Sequence, residues 1–180
     1  MIGGMLAVAE ASRYSAIETL RDGRCVEIRA LKPDDRGGLV EAFGRASVES
    51  IRRRFFAVRR SFSEKEIAFF SNVDFVNHVA LVAVVEEGGR PVIVGGGRYI
   101  IVQPGRAKIA FAVVDQYHGH GIGMALMRHL AAIAGKGGLR ELVAEVLPEN
   151  IPMLKVFEKS GLRWSTKRDA QVVHVTLQLS

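Results

Sequence analysis

The chain has 180 residues, of which 48% are hydrophobic and 24% charged, and its formal net charge of +6 at pH 7 favours anionic partners. This length predicts one domain with a substantial core, and the single cysteine excludes an internal disulfide and fits a reducing cytoplasm. No apolar run is long enough to span a bilayer, and Met1–Ala9 lacks the preceding basic residue of a secretory signal, so we expect a cytoplasmic protein without a membrane partner.

The beginning of the chain is predicted as an N-terminal extension over residues 1–24, followed by one domain over residues 25–180. Within the extension, Ser15–Leu20 is compatible with one or two helical turns. The first strand is predicted at Cys25–Leu31, where polar and apolar residues alternate. We expect Cys25 to be a buried small hydrophobic residue rather than a reactive thiol.

Three helices are predicted next, over roughly 32–45, 47–56 and 63–70. The first carries Pro33 and two acidic residues in its opening turn, which is typical of a helix start. The third follows Ser63–Glu66, which has the Ser-x-x-Glu form of a capping box.

Two arginine clusters fall in this region, at Arg52–Arg54 and Arg59–Arg60. Clusters of this kind are compatible with nucleic-acid binding. Here they flank Phe55 and Phe56 on a predicted helix, so we expect them to lie mostly on its solvated face. No recognised nucleic-acid-binding motif accompanies them, and nucleic acid is the disfavoured partner.

A set of antiparallel hairpins is predicted after the helices. Strands are expected at His78–Glu86, Pro91–Val102 and Ala107–Val114, joined by short glycine-containing turns. The second strand contains Gly95–Gly97, which predicts a bulge or kink.

The most informative stretch is Val113–Gly123, which reads as the end of a strand and a turn with three alternating glycines. A helix is predicted to follow from about Met124 to Ala134. Such a turn leaves several backbone N–H groups unpaired at a helix N-terminus, where the helix dipole is positive. This arrangement predicts a site for a ligand that carries phosphate.

Known phosphate-binding loops compete for this stretch. A Walker A loop is excluded, because Gly135-Lys136 is followed by glycine rather than by Ser or Thr. The Rossmann fingerprint also fails, because Met124 and Leu126 stand where its third glycine is needed. His118–Gly123 instead resembles Gln/Arg-x-x-Gly-x-Gly/Ala, the pyrophosphate loop of the GCN5-related N-acetyltransferases (GNAT), with His118 in place of Gln or Arg. The alternative is a tight turn that binds no ligand.

The downstream residues extend this resemblance. A β-branched strand at Leu139–Leu147 is followed by Pro148-Glu149-Asn150 and by the helix-forming stretch Met153–Leu162, similar to the ending of GNAT domains. The strand, the glycine-loop helix and the next strand are predicted to form a right-handed parallel crossover. Gln171–Gln178 alternates and is expected to close the sheet. The resemblance covers roughly residues 25–178.

Less distinctive strings look like the acetyltransferase domain of bacterial protein-lysine acetyltransferases. They are Ser47–Ser50, Arg54–Phe56, Asp74 and Val79–Val84. The resemblance implies an α/β protein with a single-domain GNAT fold, in which helices flank a mixed, mostly antiparallel twisted sheet of about six or seven strands.

The resemblance further implies that the protein transfers an acetyl group from acetyl-CoA to a primary amine, with a protein lysine as the preferred acceptor. Backbone amides of the loop would hold the pyrophosphate, namely those of His118, Gly119, His120, Gly121, Ile122, Gly123 and Met124. Histidine is only partly charged at neutral pH, so we expect a weaker, more pH-dependent hold than arginine provides. His118 and His120 lack a third ligand at suitable spacing, and no metal site is predicted.

The resemblance also implies that the strand before the loop parts from its parallel neighbour and leaves backbone amides free to polarise the thioester carbonyl. In this sequence those amides belong to the segment that contains Phe111, Val113 and Val114. Asn150 matches a cofactor-contacting asparagine of the family and equally fits a helix N-cap.

A general base is harder to assign. Lysine acetyltransferases of the bacterial type usually carry a glutamate in the strand before the loop, and Lys108 occupies that place here. An ammonium group cannot accept a proton and repels a cationic substrate. The remaining candidates are Glu145, Asp115 and Asp74, of which Glu145 is preferred because its strand is expected to flank the acetyl site. The other interpretation of Glu145 is a surface or salt-bridged residue.

The leaving group shows a second departure from the family. Many members place a tyrosine hydroxyl near the CoA sulfur, and the matching residue here is Phe157. Phenylalanine cannot donate a proton, although a thiol pKa near 8.5 makes thiolate a tolerable leaving group. Phe157 is otherwise a core residue.

Two further functions stay open at this point. One is a non-catalytic acyl-CoA sensor or regulatory domain, which Lys108 and Phe157 keep in consideration. The other is acetylation of a small amine. The acceptor pocket is expected around Phe55–Asn77, where the sequence carries no interpretable pattern, and a homodimer is one open oligomeric state.

Overall fold

The computed structural model describes residues 10–55, 62–169 and 171–179. Within them, eight strands form one sheet in the order β1-β2-β3-β4-β5-β6-β8-β7. The pairing of β5 with β6 is parallel, and the other pairings are antiparallel. The strands are β1 Ser15–Thr19, β2 Cys25–Ala30, β3 His78–Glu87, β4 Arg90–Gln103, β5 Arg106–Val113, β6 Glu141–Val146, β7 Arg163–Arg168 and β8 Val173–Gln178.

Helices cover both faces of this sheet, which confirms the predicted fold class. They are α1 Arg36–Arg45, α2 Val48–Phe55, α3 Glu64–Ser71, α4 Ile122–Lys136 and α5 Ile151–Glu158. On one face, Leu39 of α1 packs in a cluster with Val82 and Ile93. On the other face, Leu130 of α4 is fully buried, and its Cδ1 would lie 2.8 Å from a Cβ added at Gly97. The glycine in β4 therefore lets α4 approach the sheet closely.

Most predicted elements are confirmed, because their local signals agree with the final packing. Ser63 and Glu66 form the predicted capping box, with both hydrogen bonds at 3.1 Å. The register of β3 against β4 shifts between Ala83 and Val84, opposite the start of Gly95–Gly97, where the bulge is predicted. Among the described residues, no helix has the length and apolarity needed to cross a membrane.

The expected helical turns at Ser15–Leu20 are wrong, because this segment forms strand β1. It pairs antiparallel with β2 through a turn in which Leu20 N–H donates to Arg24 O at 2.7 Å. Gly23 takes a φ of +87° in that turn. Asp22-Gly23 is a common hairpin signal, and the sheet therefore starts within the stretch predicted as an extension.

The expected burial of Cys25 is also wrong, since its side chain is exposed. Alternate residues of a strand point to opposite faces. Val26 and Ile28 take the buried face, at 0% exposure, so Cys25 lies on the opposite side with Glu27.

The C-terminal edge differs from the expectation as well. Strand β8 does not close the sheet, because it lies between β6 and β7. All residues of β7, Arg163–Arg168, are exposed, so the strand lacks the apolar alternation by which strands are recognised in sequence. The two edge strands, β1 and β7, raise the count from the predicted six or seven to eight.

Candidate functional site

The site begins where β5 and β6 separate. Their parallel pairing ends at Lys108 and Val143, although β6 continues to pair with β8 as far as Val146. Strand β5 continues along β4 up to the pair of Val113 with Gly95. The two central strands therefore leave a gap beside the last residues of β5, as the family resemblance implies.

The register shows which amides face this gap. Val114 N–H donates to Val94 O on β4 at 2.8 Å, so the predicted role of Val114 as a free donor is wrong. Successive residues of a strand point their N–H groups to alternate sides. The N–H groups of Phe111 and Val113 consequently point toward the side that β6 has left.

The glycine loop lies directly above the gap. Gly119 and Gly121 have φ values of +80° and +93°, and a Cβ added at either position would meet nothing within 4 Å. Gly121 is the N-cap of α4, which begins at Ile122 rather than at about Met124, and no side chain caps it. The first-turn amides of α4 are therefore available to a ligand at its N-terminus.

A cleft of about 460 Å³ joins the loop to the gap. Among the described residues that line it, none carries a carboxylate. Its cationic lining residues are Arg21, Arg53, Arg54, Lys155 and Lys159. One of them, Arg53, also forms an ion pair with Glu49, which does not line the cleft; the distance from Arg53 Nε to Glu49 Oε1 is 3.3 Å. This charge pattern suits a ligand with several phosphate groups, so the residues present fit the predicted coenzyme.

Most of the predicted cofactor-binding residues meet in this cleft. Its lining includes Phe111, Val113, His118, Gly119, Gly121, Ile122, Gly123, Met124 and Asn150. Asn150 is 6% exposed, and its Oδ1 accepts a hydrogen bond from Met153 N–H at 3.4 Å. The two interpretations of Asn150, helix cap and cleft residue, are therefore compatible.

The two histidines of the loop point in different directions. His118 Nε2 lies 2.7 Å from Val113 O, on the gap side of β5, so its ring holds the loop against the strand end. His120 is not among the lining residues, and its Nε2 lies 3.7 Å from Asp22 Oδ2 in the β1–β2 turn.

The β1–β2 turn is a part of the site that the sequence interpretation missed. Arg21 lines the cleft, and its Nη1 donates to Gly119 O at 3.5 Å. Together with the pair of Asp22 and His120, this contact places the turn against the glycine loop. Only the pairing of β1 with β2 brings Arg21 there, and the one available signal was the Asp22-Gly23 turn.

The preferred base, Glu145, and Lys108, the residue in the family's base position, both lie outside the cleft lining. Lys108 Nζ contacts Glu145 Oε1 at 3.3 Å, and both residues are exposed. Lys108 precedes Val113 by five residues, which is roughly 17 Å along an extended strand. The preferred base and the residue in the family's base position thus neutralise each other, which matches the salt-bridged alternative for Glu145.

The other two carboxylate candidates are also occupied. Burial by itself raises the pKa of Asp115, but hydrogen bonds from Ser47 and Ser50 bring that pKa below its ordinary value. Asp74 likewise has a lowered pKa, because backbone N–H groups of residues 76–78 outweigh its burial. Neither residue lines the cleft.

Phe157 lies in the core next to the cleft. It is 1% exposed, and its ring centroid is 5.6 Å from that of Phe111 in an edge-to-face arrangement. Its neighbour Val156 lines the cleft, but Phe157 does not. The structure therefore favours the interpretation of Phe157 as packing that supports the end of β5.

Comparison with known proteins agrees with this geometry. The sequence pattern of the Acetyltransferase (GNAT) family matches residues 45–162. An acetyltransferase of Pseudomonas aeruginosa is 32% identical over 148 residues, which are 77% of this chain and 80% of that protein. The solved GNAT domain of S. lividans PAT has 35% identity and a TM-score of 0.82, covering 91% of this chain and 96% of that domain.

A longer relative is also similar. Acetyltransferase Pat of Mycolicibacterium smegmatis is 30% identical over 158 residues, which are 86% of this chain. The match spans 46% of the length of Pat, so about half of that relative lies outside the alignment with this chain.

Proposed function

We propose that this chain, which belongs to the acetyltransferase (GNAT) family, transfers the acetyl group of acetyl-CoA to a primary amine, with a protein lysine as the preferred acceptor. The observation that carries the proposal is the meeting of the glycine loop, the cationic cleft and the gap beside Val113. The similarity to the GNAT domain of S. lividans PAT supports it. We further propose that strand β1 is part of the acetyltransferase domain and that the protein acts in the cytoplasm.

The loop and the cleft are proposed to bind the phosphates of the coenzyme. The amides of Gly121 to Met124 are donors at the positive end of α4. Lys155 of α5 and Lys159, the residue that caps α5, supply positive charge. The open space over Gly119 and Gly121 lets the backbone approach a diphosphate without an intervening side chain.

The gap is proposed to orient the reacting group. Acetyl-CoA, when bound, supplies the acetyl group as a thioester. The N–H groups of Phe111 and Val113 face the space where its carbonyl oxygen would lie, and one such donor is worth roughly 3 kcal/mol to an acyl-transfer step. His118 holds the Val113 carbonyl at 2.7 Å and so keeps this end of β5 in place.

The amine must arrive without its extra proton. Neutralising a lysine ammonium at pH 7 costs on the order of 4–5 kcal/mol. Since no carboxylate lines the cleft among the described residues, we propose that water in the open cleft takes the proton. Activity should then rise with pH over the range in which the acceptor amine loses its charge.

Replacing Glu145 with Gln tests this assignment. Glu145 is paired with Lys108 and lies outside the cleft lining, so we expect the turnover rate to stay within about twofold of wild type. Steady-state rates over a pH series measure the effect, and Lys108→Met is the matched variant on the other side of the ion pair. If Glu145→Gln alone slowed turnover by about two orders of magnitude, Glu145 would be restored as the base.

Replacing Arg21 with Ala tests the role of the β1–β2 turn. Arg21 is exposed at the mouth of the cleft, so we expect the Kd for coenzyme A to rise about three- to tenfold at low salt and less at high salt. Calorimetric titration at two ionic strengths measures this. Arg13→Ala, at another exposed arginine before β1, is the control, and an equal effect in both variants contradicts a specific contact.

An assay for free thiol separates the proposed enzyme from an acyl-CoA sensor. The protein is mixed with acetyl-CoA and a panel of amines that includes lysine peptides and small amines. We expect thiol release that depends on the amine. Tight coenzyme binding without turnover across the panel would favour the sensor.

A further inference from the structure

A second, smaller pocket lies next to the gap, on the face of the sheet that α1 and α3 cover. It has a volume of about 80 Å³, and its walls are mostly apolar. Ser50, Arg54, Ala112 and Val113 line both this inner pocket and the cleft, so the two spaces meet beside the end of β5. An acceptor that reaches the gap from this face would extend into the inner pocket.

Two arginines make the inner pocket unusual. Arg98 from β4 and Arg54 from α2 both line it. Burial, together with the charge of Arg54, lowers the pKa of Arg98 to about 9, and burial lowers the pKa of Arg54 to about 10. Both groups stay cationic at neutral pH, and the two charges are close enough to repel each other.

Arg98 is held in a fixed orientation. Its Nη1 donates to His78 Nε2 at 2.9 Å, its Nη2 donates to Phe70 O at 3.2 Å, and its Cζ lies 4.9 Å from the Phe70 ring centroid. Burial and the charge of Arg98 lower the pKa of His78 to about 4, so this partner is neutral. Both of these hydrogen-bonding partners therefore position the guanidinium without neutralising it.

The guanidinium of Arg98 meets no carboxylate in the pocket walls that the structure describes. None of the pocket's described lining residues is Asp or Glu. The nearby Asp74 influences His78, but its Oδ1 accepts three backbone N–H bonds at 2.9–3.0 Å and it does not line the pocket. A planar guanidinium in such surroundings is suited to bind a carboxylate through two parallel hydrogen bonds.

We propose that the acceptor amine carries a carboxylate, which Arg98 and Arg54 bind in the inner pocket while the amine meets the thioester beside Val113. The inference rests on the proposed acetyl transfer and names the chemistry of its acceptor. Arg98 lies opposite Ala110, three residues before Val113, which is roughly 10 Å along the strand. The amine and the carboxylate are thus separated by several bonds rather than adjacent.

Matched pairs of acceptors test the proposal by thiol release. One pair is an ω-amino acid and its amide, and the other is a lysine peptide with Asp or Asn near the lysine. We expect kcat/KM to be about 10- to 100-fold higher for the carboxylate member, as charge-assisted hydrogen bonds predict. The pair that shows the preference identifies the source of the carboxylate, either a small molecule or an acidic side chain.

Variants of Arg98 assign the preference to the inner pocket. In Arg98→Met we expect the KM of the carboxylate acceptor to rise to that of its amide, with the KM for acetyl-CoA within twofold of wild type. Arg98→Lys, which keeps the charge, should retain part of the preference and covers the case in which the methionine variant unfolds. Arg90→Met, at an exposed arginine of the same strand, should change nothing.

Equal kcat/KM for both members of each pair, or a full preference in Arg98→Met, overturns the inference and leaves acetyl transfer intact. If no amine releases thiol, the proposed function fails instead. Calorimetric titration of the same carboxylates into the protein with coenzyme A then tests the carboxylate site of the inner pocket by itself. Binding that Arg98→Met abolishes supports it, and no binding overturns it.

Discussion

Gly121→Ala is expected to raise the Kd for coenzyme A at least tenfold. This is the largest effect on coenzyme binding among the substitutions that we predict, although it adds only one methyl group. Gly121 is the N-cap of α4 at a φ of +93°, and the space above it is open. A Cβ there would project into the space where the loop amides receive a phosphate. It would also strain a left-handed backbone by about 1–2 kcal/mol.

A second glycine, at the other end of α4, separates the effect of backbone strain from the loss of the binding surface. Gly138 follows the C-terminal end of α4 with a φ of +86°, and a Cβ there also meets nothing within 4 Å. Gly138→Ala should therefore lose a similar 1–2 kcal/mol of stability but bind coenzyme A like wild type. Calorimetry and thermal unfolding of both variants measure this, and equal binding in Gly121→Ala and wild type contradicts the loop assignment.

Phe157→Ala is expected to lower the free energy of unfolding by about 3–5 kcal/mol, the largest effect on stability that we predict. The ring is 1% exposed and packs edge-to-face on Phe111, so truncation leaves a cavity beneath the cleft. Because Phe111 belongs to the end of β5, we also expect weaker coenzyme binding, by a smaller factor than in Gly121→Ala.

Denaturant titration measures the stability of this variant. Phe69→Ala is the matched control, because Phe69 on α3 is 52% exposed and its truncation should cost about 1 kcal/mol or less. Phe157→Leu, which fills most of the space, should fall between the two. A loss below about 1 kcal/mol in Phe157→Ala would show that the residue is not a core element.

The loop is the part of the site that could be predicted from sequence. Its conformation depends on local properties, because glycine alone adopts positive φ readily and a helix start leaves its first amides free. For this reason His118–Gly123 can be identified without knowledge of the packing around it. The strands before it are predictable for a similar reason, since apolar alternation within each strand already marks its buried face.

Other features of the site depend on partners that are distant in the chain. The contact of Arg21 with Gly119 needs the β1–β2 hairpin, and the ion pair of Lys108 with Glu145 needs the parallel pairing of β5 and β6. Edge strands such as β7 carry no apolar alternation, because neither of their faces is buried. Local signals do not specify these partners. Asp22-Gly23 indicates the hairpin but not the contact of Arg21 with Gly119. The ion pairing of Glu145 is only one of two interpretations that the sequence allows.

The sequence by itself determined which central strands and helices follow one another along the chain, the glycine loop and the family resemblance. Each of these rests on residues that are neighbours in the chain. Only the tertiary structure decided which amides face the gap and which charges meet around it. The hydrogen bond of Val114 to Val94 is one example, and the position of Arg98 in the inner pocket is another. Both follow from the register between strands, which packing sets and a single strand does not encode.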